Sequence, residues 1–294
     1  MTMSMKHRQA TFLDWASNTS ATSLIGAAKR LPYAKRVPFM GAVMRRGLGP
    51  LAGFRTRAEV NLAQAFPDWG PDQLRATASA VCDNFGRTVI ENYSFADFGR
   101  HLADTEPFGA GLPHVAQAHR DKRPVLFVNA HFGNHEAPRH VLTRMGYNIG
   151  GLYRPFTNPY FDAHYKKTLS ALGGPVFEQG KRGTIGLIKH LRAGNMGTLF
   201  FDVHISDAPL VDFMGRPAHT ATSAAEIALK LDALILPYFG TRQSDGLSFS
   251  VEIGAPIEHS NALDMTKDMT QRLEAKIAET PEQWFWVHRR WKAA

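Results

Sequence analysis

From residue 124 onward, short β-rich runs alternate with helical segments of about ten residues. The runs that predict strands span residues 125–130, 148–153, 175–177, 197–203, 233–240 and 249–253. Apolar residues at helical spacing predict helices over residues 136–145, 160–172, 184–193, 221–231 and 265–280. Strands that alternate with helices in this way form βαβ units, whose strands are parallel. We therefore expect an α/β fold with a mainly parallel central sheet and helices on both faces.

The part of the chain before this alternation is predicted to be helical. Apolar residues recur three or four apart between Arg57 and Phe98, and Pro67 with Gly70-Pro71 divides this stretch into two helices. Residues 1–54 are expected to form a separate basic, helical N-terminal arm. Residues 55–294 are expected to form a single α/β domain.

The N-terminal arm carries most of the excess positive charge. Residues 1–57 contain ten Lys and Arg residues and one acidic residue, whereas the net charge of the whole chain is +8. Two short helices, broken near Pro32 and Pro38, would each have an apolar face flanked by cations, a pattern typical of segments on anionic membrane surfaces. Zinc-finger and helix-turn-helix signatures are lacking, so nucleic-acid binding is not expected. The arm therefore predicts docking to an anionic membrane surface, and the alternative is a solvated arm that only packs against the rest of the protein.

Other features of the sequence predict where the protein resides. Its lone cysteine, Cys82, cannot form an internal disulfide, and no secretory signal begins the chain. Every apolar run is much shorter than the roughly 18 residues that cross a bilayer. We expect a peripheral protein at the cytoplasmic side of a membrane.

Ligands of open α/β sheets bind beyond the carboxyl ends of the strands. There the loop Asn129-Ala130-His131-Phe132-Gly133-Asn134-His135-Glu136 leaves a predicted buried strand and enters a helix. Gly133 permits a tight turn, which would bring the Glu136 carboxylate to the His131 imidazole. His131 would then act as a general base and Glu136 as its orienting partner. The alternative is that His131 only satisfies backbone groups at the strand end.

The same histidine loop also allows metal chemistry. The ligands of a metal-dependent hydrolase would be His131, His135, Asp202 and His204. A serine hydrolase has little support, because the segment nearest to G-x-S-x-G, residues 246–250, lacks the second glycine. Walker and G-x-G-x-x-G motifs are lacking, so no nucleotide cofactor is expected.

The His131 loop resembles the H-x4-D/E block of the lysophospholipid acyltransferase superfamily. It is most similar to the H-F/W-G-N-W-E form of the bacterial lipid A biosynthesis (lauroyl/myristoyl) acyltransferases. Further similar blocks follow in the same order across residues 55–292: Asn61 to Pro67, Tyr153-Arg154-Pro155 with Asn158-Pro159, Gly180 to Gly183, Phe213 to Ala218, and Pro281 to Arg290. The ordered set of blocks is far more specific than H-x4-E alone.

This resemblance implies an O-acyltransferase without a cofactor. It would move a fatty acyl chain from an acyl carrier protein thioester to a hydroxyl of a lipid A precursor, a membrane glycolipid, at the cytoplasmic face of the bacterial inner membrane. His131 would deprotonate the acceptor hydroxyl while Glu136 holds the imidazole. Backbone amides around Gly133 are candidates for stabilising the oxyanion.

Further residues are expected to bind substrate. Arg154, the Lys181-Arg182 pair and Arg216 can bind phosphate or carboxylate groups. Asn134 in the histidine loop and Asp202 on the acceptor side complete the predicted substrate-binding set.

The chain departs from the family pattern at two positions near these residues. His135 stands where the family usually has Trp, and Asp202-Val203 stands where it commonly has Asp-Gln. A membrane helix that the family often has at its N-terminus is not encoded, so the arm would have to hold the enzyme at the bilayer. A lysophospholipid or other polar-lipid acceptor remains an alternative, as do the metal-dependent hydrolase and a non-enzymatic membrane-binding protein.

Overall fold

A computed structural model describes residues 10–171 and 174–291. The helices are α1 (Phe12–Ala28), α2 (Tyr33–Val43), a π-helical segment (Met44–Leu48), α3 (Gly49–Leu51), α4 (Phe54–Ala65), α5 (Pro71–Asn92), α6 (Phe95–His101), α7 (Leu112–Arg120), α8 (Ala137–Arg144), α9 (Pro159–Ser170), α10 (Lys181–Arg192), α11 (Ser223–Leu231), α12 (Ala262–Glu279) and a 3-10 turn (Pro281–Gln283). The strands are β1 (Pro107–Phe108), β2 (Val125–Asn129), β3 (Ile149–Tyr153), β4 (Val176–Glu178), β5 (Met196–Phe200), β6 (Leu210–Phe213), β7 (Arg216–His219), β8 (Leu234–Arg242) and β9 (Phe249–Ile253).

Within the described residues, seven strands form one sheet in the order β1-β9-β8-β2-β5-β3-β4. Neighbouring strands are parallel except β8 and β9, which pair antiparallel. The prediction of a mainly parallel sheet is confirmed. Strand β2 lies at the centre of this sheet, so the loop that leaves it begins at the middle of the carboxyl edge.

Helices cover both faces of the sheet, as predicted. On β2, Leu126 and Val128 pack with α10, α11 and α12, whereas Val125 and Phe127 on the opposite face pack with α6, α7 and α8. All four side chains are fully buried. A strand that is buried on both faces is a continuous apolar run without polar alternation, which explains the sequence of β2.

Several elements differ from the sequence-based expectation. Strand β1, helix α7 and the antiparallel hairpin β6–β7 were not predicted, because each is short or follows Gly and Pro residues that favour a loop. The strand predicted to reach residue 203 ends at Phe200. The chain turns after Phe200, and this turn directs Asp202 towards the neighbouring loop.

The predicted helix break at Pro38 is wrong, since α2 continues through this residue. Pro38 removes one helical hydrogen bond. The side chains of Val37 and Met40 are buried against α5, and this burial offsets the loss. The two helices cross closely: a Cβ atom on Gly86 of α5 would lie 2.4 Å from the Met40 carbonyl oxygen.

Part of the basic charge of the arm is used inside the protein. Arg36 is buried and donates to Ser94 Oγ at 2.8 Å and to Asp97 Oδ2 at 2.7 Å. Lys29, Arg30, Lys35 and Arg46 remain exposed, whereas Lys6 and Arg8 lie outside the described residues. Among the described residues, no helix has both the length and the apolar sequence that a membrane-spanning helix requires.

The packing of α2 on α5 can be tested by two neighbouring substitutions. Met40→Ala should lower the free energy of unfolding by about 2–5 kcal/mol, because it leaves a cavity between the helices. Phe39→Ala should change it by less than about 1 kcal/mol, because Phe39 is 42% exposed. Urea unfolding of both variants checks this, and equal stabilities would contradict the packing role of α2.

Candidate active site

The site forms where the central strands β2 and β5 end. These strands are parallel, and Asn129, the last residue of β2, pairs with Phe200, the last residue of β5. His131 and Asp202 each follow two residues later, so matched register brings them to the same point on the carboxyl edge. This is the edge at which open α/β sheets bind ligands.

His131 and Asp202 are joined by two hydrogen bonds. His131 Nδ1 lies 3.0 Å from Asp202 Oδ1, and the His131 backbone amide donates to Asp202 Oδ2 at 2.8 Å. Burial by itself would raise the pKa of Asp202, but the charge of His131 and its hydrogen bonds outweigh this and hold the pKa well below its usual range. The ionised carboxylate therefore accepts from Nδ1–H, which leaves the Nε2 lone pair of His131 free to accept a proton.

Glu136 does not make the contact with His131 that the sequence led us to expect. Its carboxylate is buried and lies 3.6 Å from the guanidinium of Arg139, and among the described residues it forms no hydrogen bond with His131. Glu136 follows a tight turn that points it towards α8, whereas Asp202 comes from the neighbouring strand. In this structure, Asp202 takes the position at Nδ1 that was expected for Glu136.

The loop between His131 and Glu136 is held by its own backbone. Gly133 has a φ of 54°, and a Cβ atom there would lie 1.9 Å from the carbonyl oxygen of Gly240. The Gly133 amide donates to the Gln283 carbonyl at 2.9 Å, and the Asn134 amide donates to the Gly240 carbonyl at 3.0 Å. Because both amides already donate to backbone carbonyls, the expectation that they stabilise an oxyanion is not supported.

The Asn134 side chain links the His131 loop to helix α5. Its side chain is fully buried and donates to Glu91 Oε2 at 2.9 Å. The same carboxylate accepts from Arg242 Nη2 at 2.8 Å, which makes a buried ion pair between α5 and β8. Asn134 was expected to bind substrate, but these contacts leave it no exposed surface, and we assign it to positioning of the loop.

The C-terminal segment completes the site with residues that the sequence analysis did not select individually. Trp284 Nε1 donates to Asp202 Oδ2 at 3.0 Å, and the Phe285 amide donates to the His131 carbonyl at 2.9 Å. The ring of His288 packs edge-on against that of His131, with 4.5 Å between the ring centres. The resemblance at residues 281–290 was the available signal, but it did not indicate that this segment contacts His131.

Two histidines beside His131 are kept neutral by burial. Loss of hydration lowers the pKa of His135 to about 4 and that of His288 to about 3. His135 packs against Phe200 with ring centres 5.1 Å apart. His135 therefore behaves as an aromatic packing residue beside His131.

The structure brings together only two of the four residues that were considered as metal ligands, His131 and Asp202, and adds His288 to them. Ligand atoms of His131, Asp202 and His288 all lie within 4.8 Å of one another. His135 and His204 do not belong to this group. The His204 segment instead pairs with Thr220 after β7, and its ring packs against His219.

The four cations predicted to bind anions separate into two locations. Arg154 follows β3, and Lys181 and Arg182 follow β4, so the three lie at the carboxyl edge and are exposed. Arg216 lies at the turn of the β6–β7 hairpin, with its guanidinium 5.9 Å from the centre of the Trp291 ring. The first three remain available for an anionic ligand near His131.

The neutral histidines predict how stability depends on pH. Burial also lowers the pKa of His140 to about 4. In the unfolded chain these imidazoles are protonated near pH 6.5, whereas in the folded chain the pKa is about 4 for His135 and His140 and about 3 for His288. The free energy of unfolding therefore falls as the pH falls below about 6.5. From pH 7 to pH 5 each of His135, His140 and His288 should contribute a loss of up to about 2 kcal/mol.

Urea unfolding at both pH values measures this loss. His140 packs between the rings of Phe95 and Phe98. The variant His140→Phe should therefore reduce the pH dependence by about a third, since it removes one of three groups. An unchanged pH dependence in this variant would contradict the assignment.

Comparisons with known proteins identify the family of this chain. Residues 7–293 match the model of the family described as bacterial lipid A biosynthesis acyltransferase. A lipid A biosynthesis lauroyltransferase of Escherichia coli is 28% identical over 261 residues, which cover 84% of this chain and 83% of that protein. Two lipid A biosynthesis acyltransferases of Haemophilus influenzae are each 24% identical, covering 79% and 80% of this chain and 74% and 76% of theirs. The chain therefore belongs to the bacterial lipid A biosynthesis acyltransferase family and is an O-acyltransferase.

Proposed function

We propose that this protein transfers a fatty acyl chain from an acyl carrier protein thioester to a hydroxyl of a lipid A precursor, at the cytoplasmic face of the inner membrane. The observation that carries the proposal is the hydrogen bond of 3.0 Å between His131 and Asp202 at the carboxyl edge of the sheet. The relatives named above act in lipid A biosynthesis, which supports the choice of acceptor.

In the proposed reaction, His131 acts as the general base. The Nε2 atom takes the proton of the acceptor hydroxyl while its oxygen attacks the thioester carbonyl. Collapse of the tetrahedral intermediate breaks the carbon–sulfur bond, and the imidazolium returns the proton to the thiolate. Asp202 holds the imidazole through Nδ1–H and stabilises its positive charge, as a carboxylate does in a catalytic triad. The side chain of His131 is 30% exposed, which gives substrate access.

Glu136 acts on the same loop in this proposal, but indirectly. Its negative charge lies beside the buried guanidinium of Arg139, and Arg139 Nε donates to the Ile149 carbonyl at 3.3 Å. The ion pair therefore connects the end of the loop to the start of β3. We assign Glu136 to positioning of the His131 loop and Asp202 to the direct contact.

The acceptor is expected to approach the exposed cations of the carboxyl edge. Tyr153 on β3 pairs with Glu178 on β4, so the loops that carry Arg154 and Lys181 leave adjacent strands. Guanidinium and ammonium groups at this position can bind phosphate groups of a glycolipid. Strand β5 lies between β2 and β3, and β4 follows β3 at the edge, so β3 and β4 lie about 10 Å and about 14 Å from β2 in the plane of the sheet.

Membrane contact is expected beside the same cations. The N-terminal end of α1 exposes Phe12, Leu13 and Trp15, and the loop after β3 with the start of α9 exposes Phe156 and Tyr160. We call these five residues the exposed apolar patch. Asn158 Nδ2 donates to the Asp14 carbonyl at 2.8 Å, and this bond holds the two groups side by side. Exposed aromatic and apolar side chains next to cations are typical of surfaces that enter the membrane interface.

The function is tested by a mass-spectrometric transfer assay. Purified protein is mixed with anionic vesicles, lipid A precursor, lysophospholipid, and acyl chains supplied on both acyl carrier protein and coenzyme A. Lipid A precursor should gain one acyl mass from the carrier-protein thioester, and His131→Ala should abolish the gain. Acylation of the lysophospholipid alone would replace the proposed acceptor, and wild-type turnover by His131→Ala would overturn the mechanism.

In the same assay, two further variants separate the roles of the carboxylates. Asp202→Asn should lower kcat by about 100-fold or more with little change in KM, because the imidazole loses its charged partner. Glu136→Gln should lower turnover to a similar extent together with the free energy of unfolding, because it removes the negative charge beside buried Arg139. Loss of activity in Glu136→Gln at wild-type stability would return the direct role to Glu136.

The membrane contact is tested with a matched pair of substitutions. Leu13 in the exposed apolar patch is 77% exposed, and Leu210 on β6, outside this patch, is 57% exposed. Leu13→Asp should weaken binding to phosphatidylethanolamine–phosphatidylglycerol vesicles at least about tenfold, because it places a charge in the interface instead of an apolar side chain. Leu210→Asp should leave vesicle sedimentation unchanged, and equal effects of the two substitutions would refute this docking surface.

A further inference from the structure

We propose that His131, Asp202 and His288 form a binding site for a zinc-class divalent ion, and that the bound ion inhibits the enzyme. This inference rests on the proposed function for its inhibitory effect, but the binding site itself does not. One ligand atom from each residue lies within 4.8 Å of the other two. Two imidazoles and one carboxylate are a ligand set that suits zinc and related transition ions.

The first argument is the state of His288. Its Nε2 atom is buried and has no hydrogen-bond partner among the residues that the structure describes. A buried nitrogen without a partner is costly, and a metal ion would satisfy it.

The second argument is the support behind the carboxylate. Asp202 Oδ2 accepts from the His131 amide at 2.8 Å and from Trp284 Nε1 at 3.0 Å. Hydrogen bonds of this kind hold a ligating carboxylate in place and strengthen a metal site. Oδ2 is therefore held by two hydrogen bonds, whereas Oδ1 faces His131 Nδ1 and is the oxygen that would bind the ion.

The geometry needs only a small movement to accept the ion. Tetrahedral zinc with bonds of about 2.0 Å separates its ligand atoms by about 3.3 Å. The separation of 3.0 Å between His131 Nδ1 and Asp202 Oδ1 is close to this value. All the ligand atoms lie within 4.8 Å of one another, so binding needs the His288 ring to move by up to about 1.5 Å. Three protein ligands leave a fourth position for solvent, which reaches the site at the exposed side of His131.

Either mode of coordination would stop His131 from acting as a base. Binding through Nε2 occupies the lone pair that receives the acceptor proton. Binding through Nδ1 replaces the hydrogen bond to Asp202 and releases its proton. The ion is therefore an inhibitor in this proposal and takes no part in acyl transfer.

Cobalt provides a direct test of binding that needs no enzyme activity. The chelator-treated full chain should bind one Co²⁺ with the intense visible absorption of a four- or five-coordinate ion, and Zn²⁺ should displace it. His288→Phe keeps an aromatic ring against Phe285, whose ring centre lies 4.9 Å away, but removes the ligand. This variant should bind Co²⁺ at least about tenfold more weakly. His114→Phe, an exposed change on α7, should bind as the wild type does.

The transfer assay then tests inhibition. Zn²⁺ should inhibit the wild type, and addition of a chelator should restore its activity. His288→Phe should need at least about tenfold more Zn²⁺ for the same inhibition. His288→Gln gives a second variant with a smaller side chain. Equal Co²⁺ affinity of wild type and both His288 variants would overturn the site. Metal-dependent stimulation of product formation would overturn the inhibitory role, whereas failure of the metal-free enzyme to acylate any lipid would count against the proposed function alone.

Discussion

The pairing register between β2 and β5 is the constraint on which the site depends. Because Asn129 lies opposite Phe200, the two chains leave the sheet side by side, and His131 and Asp202 meet two residues later. A shift of the register by one residue would turn the side chains to the other face and separate the pair. The side chains of β2 are fully buried and differ in size, so a shift would exchange side chains of different volume within a close-packed core. Core packing and the geometry of the His131–Asp202 pair therefore have the same origin.

Segments distant in the chain hold the His131 loop in place. Helix α5 supplies Glu91, strand β8 supplies Arg242, and the C-terminal segment supplies Gln283 and Trp284. Most of their contacts are buried, where hydrogen bonds and ion pairs compete little with water. The imidazole is therefore oriented before substrate binds, which is the condition that the proposed proton transfer requires.

Helix α2 of the N-terminal arm packs against α5. Val37 and Met40 pack on α5, and Arg36 is used in a buried network with Ser94 and Asp97. The exposed aromatic side chains of α1 instead lie next to the loop after β3. This arrangement places a candidate membrane surface beside the loop after β3, at the same edge of the sheet as His131.

The sequence by itself determined the order of the main strands and helices, the position of His131 at a strand end, and the family. These properties depend on local periodicity and on short motifs, which can be recognised without the fold. Only the tertiary structure decided that Asp202, 71 residues away, bonds to His131 in place of Glu136, because that contact depends on strand register. The tertiary structure also decided that Asn134 is buried and that His288 lies beside His131. Contacts between segments distant in the chain are set by packing, and no spacing in the sequence encodes them.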